Sequence, residues 1–367
     1  MASCSDDESP GDLARIRSQV GRALDDFVAR QRAVLAGISA DLVPCADAVT
    51  DLLATGKRLR AAFCYWGWRA CGGQDEPPIF RAAAALELLH ASALVHDDVM
   101  DASDTRRGQP SVHKRFAAAH ASAGWQGSAD RFGDGAAILV GDLLLAWTDE
   151  MLRTSGLPAE AALRGLTVLD EMRTEVFAGQ FLDLVGQVAG ASEVESALRV
   201  VTYKSAKYTV ERPLQLGAAL RGDQGCDGHR AEQVSAAFTG YGIPLGVAFQ
   251  LRDDILGVFG DPAKTGKPVI DDLREGKRTV MLAIARERAD PAQAAALDRS
   301  VGDPALTEAG AEQVRAVITG TGALAECEQM ISVNVKEALS CIEGAPITVE
   351  SKSALGELAI AATSRTD

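Results

Sequence analysis

The sequence predicts an all-α fold, a bundle of packed helices, on three observations. Ala/Leu-rich segments with apolar residues three and four apart recur from Asp12 almost to the end; alternating, β-branched stretches are few; the breaks between segments are Gly-, Pro- and charge-rich. Residues 1–11 read as a polar, acidic tail without structure, neither a secretory signal nor a transit peptide, and residues 12–367 as a single all-α domain. Leu13, Ile16, Val20, Leu24 and Phe27 set the first helical stripe. Gly56-Lys57-Arg58-Leu59-Arg60 opens a helix running through Phe63 and Trp66, with Lys57 and Arg60 expected on one face of its first turn. A helix start with outward N–H groups and two cations is a phosphate site, although such a pair alone is more often simply solvated. Loops are expected at Gly72–Pro78, Gly124–Gly135, Gly222–Gly228 and Asp261–Lys277, and from Asp290 onward the chain is helical without readable chemistry.

Composition narrows the classes. With 37 basic and 51 acidic residues in 367, the net charge is −14. No basic run offsets it, so nucleic acid and anionic membrane surfaces are poor partners. The 7 cysteines form no Cys-x-x-Cys pair and lack the nearby histidines of a zinc site, which points to reduced thiols in a cytoplasmic setting. The longest apolar run, Gly135 to Trp147, is interrupted by Asp142 and too short for a bilayer, so no membrane span is expected.

The chemistry gathers at Leu86 to Asp101, closed by Thr105-Arg106-Arg107-Gly108. At 3.6 residues per turn Asp97 and Asp101 share a helix face, with Asp98 beside them. Such a cluster must be solvated, paired with cations, or holding a hard divalent metal. His90 lies two turns earlier, near the same face; a histidine there is more often a satisfied core residue than a ligand. A second carboxylate pair, Asp253 and Asp254, follows Phe249-Gln250 on another apolar run. One turn beyond Asp253 stands Gly257, not an acid; Asp261 returns to that face only if the helix continues through Gly260. Two acidic clusters on separate helices suit a polyanionic ligand bound through metal. Gly179-Gln180-x-x-Asp183 and Lys204-Ser205-Ala206 place polar groups among apolar ones. Gly260 to Pro268 fails as a nucleotide-binding loop, being one residue too long with Pro268 where a hydroxyl is needed. Serine-hydrolase, zinc-protease and dinucleotide motifs are all missing.

In this order and spacing, over roughly Thr55 to Thr279, these motifs resemble the trans-polyprenyl diphosphate synthases, most of all bacterial geranylgeranyl diphosphate synthases. The basic motif departs from the family's Gly-Lys-Arg-x-x-Arg by one residue. The resemblance implies an isoprenoid synthase-type helical bundle around a central cavity, usually homodimeric, that joins an allylic diphosphate (dimethylallyl, geranyl or farnesyl) to isopentenyl diphosphate. It implies that Asp97, Asp98, Asp101, Asp253 and Asp254 hold about three Mg²⁺ ions. Arg106, Lys204, Lys267 and Lys277 complete the allylic diphosphate site, with Gln180, Ser205 and Gln250 in support. Lys57, Arg60, His90 and Arg107 hold isopentenyl diphosphate. Ser92 and Ala93 are small where an aromatic ring would stop a growing chain, and Leu89 is the next floor, which implies a C20 product over C15 or longer ones. The rivals are a class I terpene cyclase, whose usual second metal motif is missing here, and a non-catalytic partner subunit, although both Asp motifs are kept.

Overall fold

Residues 12–189, 193–222, 228–260 and 270–364 are described by the structure, a computed structural model. The expected tail over residues 1–11, Asp261, Lys267 and most of the loops around them and after Gly222 lie outside the described residues. As expected, the architecture is all-α. In chain order it comprises α1 (Leu13–Ile38), a 3-10 turn (Ala40–Leu42), α2 (Val43–Leu53), α3 (Leu59–Ala70), α4 (Pro77–Met100), the minimal strands β1 (Thr105–Arg106) and β2 (Gln109–Pro110), α5 (Val112–Ser122) and α6 (Ala129–Arg153). Then come α7 (Ala159–Ala189), α8 (Val194–Val200), a π-helical segment (Val201–Glu211), α9 (Arg212–Arg221), α10 (Gly228–Phe259) and α11 (Asp271–Arg274). The chain ends with α12 (Val280–Arg288), α13 (Pro291–Ser300), α14 (Glu308–Gly320), α15 (Ala323–Glu343) and α16 (Val349–Thr363).

The described chain groups into two compact units. The first runs to Thr167 and adds Leu216–Gly222; the second holds the described residues of Val168–Gln215 and those beyond Asp223. In the first, α4 is the central helix, packed by α1, α3 and α6. Ala82, Ala83, Ala84, Ala85, Leu86, Leu88 and Leu89 are all buried, so α4 is enclosed on every side over its middle, as a core helix is. In the second, α10 packs on the π segment and on α15. Leu251, Ile255 and Val258 join Leu273, Val280 and Ile284 in its core. By length and composition alone α4 and α10 could cross a membrane, but 72% and 50% of their apolar windows are buried inside the protein.

Two local expectations change. The helix expected from Lys57 begins at Leu59, because Arg58 takes the left-handed conformation at φ 56° and serves as its N-cap. Lys57 thus lies on the segment before the helix. The loop expected over Gly124–Gly135 is shorter, since α6 starts at Ala129, where Ser128 accepts the N–H of Arg131 at 3.3 Å. Gly133 belongs to the helix and lets it approach α5: a Cβ there would stand 2.3 Å from the carbonyl oxygen of His113. Gly133 marks a helix contact, whereas Gly124 and Gly127, both at positive φ, do lie in the connection.

Candidate active site

In the first unit the site is built on the C-terminal end of α4. The Asp101 N–H donates to the Asp97 carbonyl at 2.8 Å, so the last helical turn carries both side chains on one face, as their spacing predicts. The helix closes in a Schellman motif: Ala102, at φ 51°, bonds back to Val99, and the Ser103 N–H reaches the Asp98 carbonyl at 2.9 Å. The chain then turns through the β1–β2 hairpin, with Arg107 and Gly108 as its two loop residues, both at positive φ. That primed turn matches strand twist and needs φ above zero at both positions, which Gly108 supplies without strain.

The hairpin sends its two arginines to different places. Arg106 pairs with buried Asp98, its Nε at 2.8 Å from Oδ1, and comes to 3.9 Å of Asp97. Arg107 donates to the Leu52 carbonyl at 3.0 Å, in the last turn of α2, and to the Thr55 carbonyl at 2.7 Å, just past it. Asp98 therefore differs from its neighbours. It is 2% exposed and bound to a guanidinium, whereas Asp97 and Asp101 are only partly buried.

Two turns before Asp97, partly buried His90 sits among Arg60, Arg107, Arg106 and Arg58; burial first, and then these four cations, hold its imidazole well below the usual histidine range. A neutral imidazole inside a ring of guanidiniums is a setting for an anion. Arg58 is buried and bound to Glu87 at 3.2 Å. Glu87 also accepts the Ala61 N–H at 3.4 Å, near the start of α3. Sequence reasoning passed over both residues; an acid within the apolar run of α4 was the available signal. Exposed Lys57 and partly buried Arg60 flank this pair.

Of the chain-length residues, Leu89 is fully buried, and half-buried Ala93 follows one turn later in register with Asp97. Ser92 is turned to α6, its hydroxyl donating to the Gly141 carbonyl at 2.8 Å.

In the second unit, Asp253 and Asp254 lie on α10 as predicted. The Ser205 hydroxyl donates to Gln250 Oε1 at 2.7 Å, and Gln250 Nε2 donates to Asp254 Oδ1 at 2.8 Å. Asp254 is 8% exposed. Burial raises its carboxyl to about 7 against the Gln250 hydrogen bond, with Asp272 and Asp253 adding repulsion and Lys277 offsetting part of it. Lys204 is held by Asp183 at 2.6 Å, and Lys277 by Asp272 at 3.1 Å and Glu275 at 2.7 Å. Sequence reasoning gave no role to these three acids; for Asp183 the signal was its place three residues after Gln180. Partly buried Gln180 lies on α7.

Lys204 and Ser205 belong to the π segment, a rare geometry found mostly at functional sites. Its far end is pinned by an ion network in which Arg212 Nε and Nη2 each meet Glu175 at 2.7 Å, Lys207 also binds Glu175, and Thr239 donates to Glu211 at 2.7 Å. Gly179 explains the glycine before Gln180: a Cβ there would lie 2.4 Å from the Lys204 nitrogen. Gly179→Ala is accordingly expected to destabilise the protein by about 1–3 kcal/mol through forced backbone displacement, seen as a lower denaturant midpoint at unchanged slope.

The donor chemistry can be tested against Mg²⁺. Among the described residues no three His, Cys, Asp or Glu side chains converge into a ready-made cage. Mg²⁺ needs none, since it binds through one or two carboxylates and completes its octahedron with water and substrate phosphate oxygens. The oxygen-only pairs Asp97/Asp101 and Asp253/Asp254 fit that requirement. The five cysteines in the described residues, Cys45, Cys64, Cys71, Cys327 and Cys341, are free.

Carboxylate pairs suited to Mg²⁺ and a histidine among arginines, on an all-α scaffold, are chemistry suited to diphosphates. The sequence matches the polyprenyl synthetase family over residues 44–318. It is 32% identical to a geranylgeranyl diphosphate synthase of Mycobacterium tuberculosis, covering 91% of this chain and 88% of that protein. It is also 32% identical to a geranylfarnesyl diphosphate synthase of Aeropyrum pernix, covering 83% and 89%. Among solved structures, a geranylgeranyl pyrophosphate synthase of Corynebacterium glutamicum complexed with isoprenyl diphosphate and magnesium superposes with a TM-score of 0.91 at 39% identity, covering 96% of this chain and 99% of that one. The chain belongs to the trans-polyprenyl diphosphate synthase family and is a prenyltransferase.

Proposed function

We propose that this prenyltransferase condenses isopentenyl diphosphate with dimethylallyl, geranyl and farnesyl diphosphates and releases geranylgeranyl diphosphate. The observation that carries the reading is on α4 alone. An acidic end and a neutral histidine among arginines lie seven residues apart, roughly 10 Å along the axis, so one helix serves two diphosphates of different binding chemistry. A cyclase handles only one.

Asp97, Asp98, Asp101, Asp253 and Asp254 hold Mg²⁺, about three ions at the allylic diphosphate. When bound, the metal neutralises charge on the leaving diphosphate. Lys204, Lys277, Lys267 and Arg106 add cationic hydrogen bonds to the same group. Gln180, Ser205 and Gln250 orient these partners; Gln250 does so by linking Ser205 to Asp254. Lys57, Arg60, Arg107 and His90 grip isopentenyl diphosphate, and His90, being neutral, contributes a hydrogen bond without a further charge among the arginines. As the allylic C–O bond breaks, the double bond of isopentenyl diphosphate attacks the allylic cation. A proton is then lost to the departing pyrophosphate. A single catalytic domain over residues 12–367 belongs to this reading. A homodimer and a cytoplasmic setting belong to the same reading. Exposed Phe177, Phe181 and Val185, spaced by four on α7, support the dimer.

The growing chain runs from Asp97 past Ala93 towards Leu89, with Ser92 alongside. Purified protein given Mg²⁺, isopentenyl diphosphate and each primer in turn should yield chiefly the C20 alcohol after dephosphorylation and mass analysis; a C15 or longer main product would contradict the length assignment. Ala93→Phe should move the main product from C20 to C15 with primer turnover retained, whereas an unchanged product would remove Ala93 from the path.

A further inference from the structure

The two acidic motifs differ at one position, and the structure shows what occupies the difference. Asp97-Asp98 is followed one turn later by Asp101, but Asp253-Asp254 is followed one turn later by Gly257. A Cβ built on Gly257 would stand 1.9 Å from Oδ2 of Asp272 and 3.1 Å from its Cγ. A carboxylate carried by α11 thus fills the volume into which a side chain at position 257 would grow. Its other oxygen, Oδ1, binds Lys277 at 3.1 Å, and Lys277 is also tethered by Glu275 at 2.7 Å.

We propose that Asp272 is the third carboxylate of the second acidic motif, delivered from α11 into the space left by Gly257 to bind the metal-diphosphate complex alongside Asp253 and Asp254. The missing side chain and the acid are complementary. A side chain at position 257 would push the Asp272 carboxylate out of this place. The sequence pattern of the first motif is broken in the second, while its count of acids is preserved. Lys277 gains a fixed place beside the same carboxylate. Because Glu275 holds Lys277 as well, losing Asp272 removes an acid from the cluster without releasing the lysine.

The inference rests on the synthase reading, and its test separates the two. Inorganic pyrophosphate is titrated calorimetrically into the full-length protein in excess Mg²⁺, with thermal midpoints recorded for every variant. The wild type should bind in a Mg²⁺-dependent way, and Asp272→Asn should weaken that binding by about 10–100-fold, the usual loss when a metal-site partner is removed. Gly257→Asp alone should also weaken it, because two carboxylates then compete for one volume. The exchange variant Gly257→Asp with Asp272→Gly should recover binding to within a few-fold of wild type, an outcome that a purely structural role for Asp272 would not produce. Unchanged binding by Asp272→Asn, or an exchange variant that folds and binds as weakly as Asp272→Gly alone, would overturn the assignment of Asp272. Absence of Mg²⁺-dependent pyrophosphate binding by the wild type would overturn the synthase reading itself, and the assignment with it.

Discussion

Asp97→Asn lowers kcat by about 10²–10³-fold, the scale seen when one electrostatic group is removed from a transition state, and leaves the thermal midpoint nearly unchanged. Asp98→Asn, one residue on, lowers both. The contrast follows from burial. Asp97 is partly exposed and meets Arg106 only at 3.9 Å, whereas Asp98 is 2% exposed and tightly paired with that guanidinium. Removing one partner of a buried pair leaves the other charge uncompensated, at a cost of about 3–5 kcal/mol. Urea melts of the two variants beside steady-state kinetics check this directly. Equal stabilities would mean that the Asp98–Arg106 pair does not hold the hairpin to α4.

Asp254→Asn makes the metal-free protein more stable at pH 8, by less at pH 5, and not at all below about pH 4. The carboxyl is raised from the ordinary 3.8 to about 7 by burial, so the fold favours its protonated form. That contribution to stability is fully present below the unfolded pKa and is lost as the pH rises towards the folded one. Metal-free wild-type protein should therefore lose stability between about pH 4 and pH 7 from this group, and no more beyond. Asparagine removes the buried charge while keeping an oxygen for the Gln250 donor at 2.8 Å. Each ~1 kcal/mol gained should lift the midpoint by roughly 2–4 °C, measured calorimetrically with a chelator present. Catalysis falls in the same variant, so stability and activity move in opposite directions. A midpoint difference that does not change with pH would contradict the assignment.

The residues of α4 show what a sequence makes legible. Asp97 and Asp101 share a face because helical period alone puts them there, and the apolar run before them could only be a core helix. Gln250 and Asp254, four apart on α10, bond to each other for the same local reason. What stayed hidden is nonlocal. Asp183 reaches Lys204 across 21 residues and Ser205 reaches Gln250 across 45, pairings that no periodicity encodes. The hairpin that parts Arg106 from Arg107 has strands of two residues, too short to leave an alternating pattern. Arg58 was hidden differently: one left-handed residue moved the start of α3 from Lys57 to Leu59, and that shift buried Arg58 against Glu87 while leaving Lys57 exposed. Gly257 stood out in the sequence as a broken motif. Only the placement of Asp272 turns that break into an exchange of one carboxylate for another.

If two diphosphates react together on this protein, the stoichiometry of the reaction shows it directly. Purified protein is given Mg²⁺ and farnesyl diphosphate with and without isotopically labelled isopentenyl diphosphate, and released pyrophosphate is counted against isopentenyl units incorporated. One pyrophosphate per unit incorporated is expected, and almost none when isopentenyl diphosphate is withheld. Comparable release from farnesyl diphosphate alone, with a hydrocarbon product, would contradict it in favour of a cyclase; no release from folded, metal-replete protein under either condition would contradict it in favour of a non-catalytic partner subunit.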